Sequence, residues 1–255
     1  MVDDAVSRLS FEVAENSPLH HASFRPDEDG GVLRFSRDFT DMDITDRSAY
    51  IFHLFIVCHE VAHMVLCHMF LNQEQISESC ALEGQADFYG AKIAFILVAL
   101  GVKSSAAFLN LEGENPFKTF CDNGDQLWIY FRDFPSENYP NPLVRKFDYL
   151  MGVLGSVYHL ENNENFQKTG LFKWTSEYIA KKINFSEEFN TSVIKHRKDV
   201  HRYHQPRLAG VLAWEKLIRP ELIAYFQTGF DLDFEVAAAS SGERANNIFE
   251  KYWEM

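Results

Sequence analysis

The run His59-Glu60-Val61-Ala62-His63 constrains this chain more than any other feature, because it matches the H-E-x-x-H pattern inside an apolar stretch. Residues four apart share one face of an α-helix, so His59 and His63 can direct ring nitrogens at one metal ion. Glu60 borders the same site, where it can take a proton from water that zinc acidifies. The motif therefore predicts a zinc hydrolase.

The residues around the motif favour a buried helix. From Tyr50 to Leu71 the side chains are nearly all apolar apart from the motif, His53 and His68, and neither Gly nor Pro interrupts the stretch. A motif that arose by chance on a surface would have polar neighbours. The alternative is that both motif histidines are core residues whose ring nitrogens are satisfied by hydrogen bonds.

A catalytic zinc commonly has three protein ligands and one open position, and the chain offers two candidates for the third ligand. His68 follows His63 by five residues, which on a continuing helix turns it roughly 140° away from the metal-facing side. Glu83 follows His63 by twenty residues and opens a second long apolar helix that reaches about Gly101. We therefore expect His59, His63 and Glu83 to bind Zn²⁺.

Asp87 lies one helical turn after Glu83, so the two carboxylates share a face that can meet the first helix. We expect Asp87 to accept a hydrogen bond from the second ring nitrogen of a zinc-binding histidine, which fixes the tautomer of that ring. The alternative is a solvated acidic face. The nearby residues favour burial because they are apolar, as in Ala86, Phe88, Ala91 and Ile93.

These two segments carry a family resemblance. The sequence His-Glu-Val-Ala-His, a histidine five residues later and then Leu-Glu-Gly-Gln-Ala-Asp resembles the gluzincin-type zinc metallopeptidases. Within that group the chain is most similar to the Lit-type phage-exclusion peptidases and more distantly to the ImmA/IrrE-like peptidases. The resemblance covers about residues 50–100 and one later segment. It implies an endopeptidase with a specific protein substrate in bacterial defence or stress response.

The later segment, residues 136–145, is similar to the His-Pro-Pro…Arg stretch that follows the glutamate helix in membrane-type gluzincins. Tyr139 stands where those enzymes have histidine, so the chain departs from the family pattern there. The resemblance implies that Arg145 pairs with Asp87 or with the substrate backbone, and that Tyr139 donates a hydrogen bond to the tetrahedral oxyanion. The alternative is a proline-rich turn that caps the next helix.

The chain as a whole predicts a mostly α (α+β) fold, with a zincin-like helical core, a small edge sheet and additional C-terminal helices. Its 255 residues are 46% hydrophobic, which is ample for a substantial core. Residues 1–30 look irregular, and residues 31–36 form the candidate edge strand that would bind an extended substrate backbone. Helical patterns follow near residues 103–111, 142–160, 170–183, 187–204 and 208–228. We expect a catalytic region over 1–164 and a helical region over 165–255 packed on the same domain.

Charge and composition limit the partners. A net charge of −13 disfavours nucleic acid, which leaves a protein or peptide substrate as the expected partner. The longest apolar stretch, Ile93 to Val102, is too short for stable membrane insertion. The acidic N-terminus lacks the features of a secretory signal, and the cysteines form no close pair, so a cytoplasmic location is expected.

An alternative function includes zinc binding but no hydrolysis. The protein could be a non-catalytic zinc-binding regulatory or protein-interaction module in which the metal is structural. A structural zinc site is normally closed by four protein ligands, so His68 bound to the metal would favour this reading. The pattern alone leaves the role of His68 and the oligomeric state open.

Overall fold

The computed structural model describes residues 9–14, 22–27, 30–66, 68, 79–133, 139–162 and 170–183. A small sheet precedes a set of helices, which confirms the mostly α (α+β) fold. The strands are β1 (Leu9–Ala14), β2 (Ala22–Asp27) and β3 (Gly30–Ser36). The helices are α1 (Arg37–Thr40), α2 (Arg47–Val65), α3 (Ser79–Leu100), α4 (Val102–Leu109), α5 (Pro116–Asp133), α6 (Pro142–Asn162) and α7 (Leu171–Lys182). The helical patterns at 187–204 and 208–228 lie outside the described residues.

The sheet corrects two expectations. Its order is β1-β3-β2, with β3 parallel to β1 and antiparallel to β2. The strand predicted over residues 31–36 is therefore the central one, and the prediction that it offers a free edge to a substrate is wrong because both of its edges are paired. Residues 9–14 and 22–27 are strands rather than irregular chain. The alternation of Leu9, Phe11 and Val13 with other residues is a strand pattern, so β1 could have been predicted. β2 contains Pro26, and proline is unfavourable inside a strand, so the sequence favours that strand less.

The helix that carries the motif has a clear start and an early end. The Asp46 carboxylate accepts a hydrogen bond from the Ala49 backbone N–H at 2.8 Å, which satisfies a donor in the first turn. Its last turn includes a hydrogen bond from the Leu66 N–H to the Ala62 carbonyl at 2.8 Å. The helix ends at Val65, several residues before the end of the apolar stretch.

Helix α3 packs against both α2 and α6, so it lies at the centre of the helical core. Phe55 of α2 contacts Tyr149 of α6 edge to face at a ring distance of 4.9 Å, and both side chains are fully buried. The Tyr149 hydroxyl donates a hydrogen bond to the Phe120 carbonyl at 2.9 Å, which ties α6 to α5. This packing holds the motif helix and the glutamate helix side by side.

The described part of the C-terminal region packs on the same helices. α7 contacts α5 and α6, and the Lys182 ammonium lies 2.7 Å from carboxylate oxygens of both Asp122 and Asp125. The Lys146 ammonium lies 2.5 Å from the other oxygen of Asp125. The ion pairs join α7 to α5 and α5 to α6.

Within the described residues, no single helix combines the length and apolar character needed to cross a bilayer. Two consecutive helical segments, Cys80–Ala99 and Val102–Leu109, meet that test only together, and they are bent by 80° relative to each other.

Candidate metal centre

The contact between α2 and α3 brings three ligand-type side chains together. His59 Nε2 lies 3.2 Å from both His63 Nε2 and Glu83 Oε2, and His63 Nε2 lies 3.5 Å from Glu83 Oε1. His59 is buried, while His63 and Glu83 are partly exposed. The three side chains therefore converge on one point with a side open to solvent.

These separations fit a zinc ion. A tetrahedral zinc with nitrogen and oxygen ligands at about 2.0–2.2 Å has ligand atoms about 3.3–3.6 Å apart, close to the distances seen here. The donor set of two imidazoles and one carboxylate is also a common catalytic set. Among the described residues this is the group of three His, Cys, Asp or Glu side chains placed to hold a metal ion.

Asp87 lies behind His59, on the far side from the ligand cluster. Its Oδ1 is 3.0 Å from His59 Nδ1, an ion-pair distance at an angle too bent for a good hydrogen bond. Burial would lower the pKa of His59, but Asp87 and Glu83 raise it to about 10. The metal-free ring is therefore protonated, and a metal ion must displace a proton to bind Nε2.

Arg145 holds Asp87 in place. Its Nε and Nη2 atoms donate to the two oxygens of Asp87 at 2.6 and 2.8 Å, and the guanidinium lies over the rings of Phe131 at 3.6 Å and Tyr139 at 4.7 Å. Burial would raise the pKa of Asp87, but Arg145 and His59 hold it below its ordinary value. Of the two partners that the resemblance implied for Arg145, the structure shows Asp87.

His68 lies where the sequence did not place it. The expectation that it turns away from the site assumed a continuing helix, but α2 ends at Val65 and the chain brings His68 back. Its Nδ1 is 2.7 Å from His63 Nδ1, and its Nε2 is 3.0 Å from Gln85 Oε1. His68 therefore contacts the ring edge of His63 that faces away from the ligand cluster, and it occupies no ligand position.

Glu60, which directly follows His59, is half-buried and lies near enough to Tyr130 and Tyr139 to interact with them electrostatically. Its charge acts on both phenols, and partial burial, together with nearby carboxylates, raises the pKa of Tyr139 to about 12. Burial likewise raises the pKa of Tyr130 to about 12. Tyr139 remains 42% exposed. Both hydroxyls are therefore protonated at neutral pH, and Tyr139 can donate a hydrogen bond to a group that arrives from solvent.

Gly90 sets how closely the two helices approach. A Cβ atom on Gly90 would lie 2.8 Å from His59 Cα and 2.9 Å from His59 N, closer than packed atoms tolerate. The backbone of α3 thus rests directly against the backbone that carries the first histidine. This contact fixes the distance from Glu83 and Asp87 to the motif.

We expect Gly90→Ala to push α3 away from α2, at a cost of about 1–3 kcal/mol in unfolding free energy, and to weaken zinc binding. Gly155→Ala is the matched control, because its Cβ would meet only Phe88 Cζ at 3.7 Å. That change should be neutral or stabilise by up to about 1 kcal/mol. Denaturant unfolding and zinc titration of both variants check the prediction, and equal behaviour of the two would contradict it.

Some residues of the site carried no usable signal or a weak one. Tyr130 and Phe131 lie on α5, and no spacing in the sequence links that helix to the motif. Gly90 follows Glu83 by seven residues, the two-turn spacing of a shared helix face, so it could have been found. Gln85 lies two residues after Glu83, and its role becomes visible only from its contact with His68 in the structure.

Comparisons with protein-family models, curated proteins and solved structures gave no match for this chain. The resemblance to gluzincin-type peptidases therefore stays a prediction. The function is inferred from the geometry of the site.

Proposed function

We propose that the protein is a zinc-dependent endopeptidase. The observation that carries the proposal is the cluster of His59, His63 and Glu83 at tetrahedral spacing. Glu60 directly follows the first histidine of that cluster in the sequence. A purely structural zinc site would be closed by a fourth protein ligand. Among the described residues no fourth His, Cys, Asp or Glu joins the cluster, and His68 faces the wrong edge of His63.

His59, His63 and Glu83 would hold the zinc ion, which would supply Lewis acidity toward water and toward a peptide carbonyl. Glu60 takes a proton from the attacking water as the C–O bond forms, and then passes it to the amine nitrogen as the C–N bond breaks. Tyr139 donates a hydrogen bond to the carbonyl oxygen as it becomes negative. Arg145 acts on the ligand set through Asp87, whose two oxygens accept hydrogen bonds from its Nε and Nη2 atoms.

The setting follows from the sequence and the resemblance. A net charge of −13 and the family likeness favour a protein or peptide substrate, in bacterial defence or stress response. Cys58, Cys80 and Cys121 are free thiols, which is compatible with the reducing cytoplasm. We therefore place the reaction in the cytoplasm, with a specific protein as substrate.

The test has two steps. Elemental analysis of the purified protein should find about one zinc per chain, with little or none in His63→Ala and Glu83→Ala. The zinc-loaded protein is then incubated with a bacterial lysate, and new protein N-termini are identified by mass spectrometry. We expect a small set of new N-termini that is absent with His63→Ala and with a zinc chelator.

Each failure has its own meaning. No zinc in the wild type after reconstitution would overturn the proposal. One zinc per chain without new N-termini in any lysate would instead favour the non-catalytic zinc-binding module. Full zinc content in Glu83→Ala would mean that a side chain other than Glu83 is the third ligand.

A further inference from the structure

A chain of three buried or half-buried side chains leads away from the metal centre on the His63 side. His63 Nδ1 lies 2.7 Å from His68 Nδ1, and His68 Nε2 lies 3.0 Å from Gln85 Oε1. The two rings meet edge to face with centroids 4.8 Å apart. His68 is 8% exposed and Gln85 is 1% exposed, so water cannot easily replace either partner.

The hydrogen positions along the series His63–His68–Gln85 can be assigned by starting from Gln85. An amide oxygen only accepts, so Gln85 Oε1 requires a proton on His68 Nε2. A neutral His68 then has a bare Nδ1, which accepts a hydrogen bond from the N–H at His63 Nδ1. His63 Nε2 is left with a free lone pair, and this is the atom that faces His59 and Glu83.

The reverse assignment is incompatible with a metal. If the Gln85 amide were turned to donate to His68 Nε2, His68 Nδ1 would carry the proton and donate to His63 Nδ1. The neutral His63 ring would then carry its hydrogen on Nε2, aimed into the ligand cluster. Only the amide orientation seen here leaves Nε2 of a neutral His63 able to bind zinc.

We propose that His68 and Gln85 are positioning residues that set the tautomer of His63, so that this ring presents Nε2 to zinc. The inference rests on the proposed zinc site and assigns His68 a role other than a ligand. The two histidines are thus held by different devices, a carboxylate paired with arginine for His59 and a neutral imidazole–amide chain for His63.

The first test measures zinc affinity by competition with a chelator of known affinity. His68→Phe keeps a ring but removes the acceptor, so its zinc Kd should rise about 10–100-fold, as expected when such a partner is lost. His68→Asn places an amide oxygen close to the former Nδ1 and should recover most of that loss. Gln85→Met should weaken binding and Gln85→Glu should not, because glutamate keeps an acceptor.

If His68 only filled space, the order of zinc affinities would be reversed, and His68→Phe would bind zinc more tightly than His68→Asn, whose side chain is smaller. Equal zinc affinity of His68→Phe and wild type would overturn the proposal. Thermal unfolding of the metal-free variants serves as the control that each one folds.

The second test needs no variant. Two-bond ¹H–¹⁵N correlation spectra of the zinc-loaded wild type, labelled at histidine nitrogen, report which ring nitrogen carries hydrogen. We expect His63 protonated at Nδ1 and His68 at Nε2. A proton on His68 Nδ1 would overturn the proposed role of His68 and Gln85 while leaving the zinc site intact. A wild type that binds no zinc would overturn the proposed function together with that role.

Discussion

Replacing Glu60 with glutamine is expected to lower peptide hydrolysis by at least about 10²–10⁴-fold while the zinc content stays at about one per chain. Glutamine has nearly the shape of glutamate, but its amide cannot take a proton from water at neutral pH. Glu60 is half-buried, directly follows His59 in the chain, and does not belong to the group formed by His59, His63 and Glu83. The loss should therefore fall on turnover and leave metal binding unchanged.

The measurement compares cleavage rates at one identified substrate site with zinc content determined on the same samples. Glu114→Gln is the matched control, because that side chain is 70% exposed and lies on the surface. It should cleave like the wild type. Unchanged turnover in Glu60→Gln would exclude Glu60 as the general base, and loss of zinc would instead make it part of the ligand set.

The grouping of His59, His63, Glu83 and Asp87 could be predicted from the sequence because it depends largely on helical periodicity. His59 and His63 are four apart, as are Glu83 and Asp87, and each pair occupies one face of its own helix. That the two faces can meet was expected from the shared face of Glu83 and Asp87 and its apolar neighbours, and the structure brings them within 3.0–3.5 Å. The helices themselves were visible as long apolar stretches without proline.

The missed features depend on tertiary contacts that leave no local signal. Nothing between His63 and Leu71 marks a helix end, so the return of His68 to the site was not predictable from propensity. The position of β3 in the sheet depends on β1, whose pairing partner lies more than twenty residues away. The contribution of Phe131 beneath Arg145 depends likewise on how α5 packs against α6.

Replacing Arg145 with methionine is expected to lower the free energy of unfolding of the metal-free protein by about 3–5 kcal/mol. Asp87 is 0% exposed, and the change removes both guanidinium donors to its carboxylate. The buried charge would then keep only the bent contact with His59. Urea unfolding in the presence of a chelator measures the effect, and Arg132→Met is the surface control, with an expected change within about 0.5 kcal/mol.

The double variant Arg145→Met/Asp87→Leu separates stability from metal binding. Removing both charges leaves no buried ion without a partner, so most of the lost stability should return. Zinc affinity of the double variant should be about 10–100-fold below that of the wild type, because His59 has lost the carboxylate that lies against its Nδ1. If the double variant bound zinc as tightly as the wild type, Asp87 would serve only to neutralise Arg145. If Arg145→Met cost less than about 1 kcal/mol, the pair would not be buried as described.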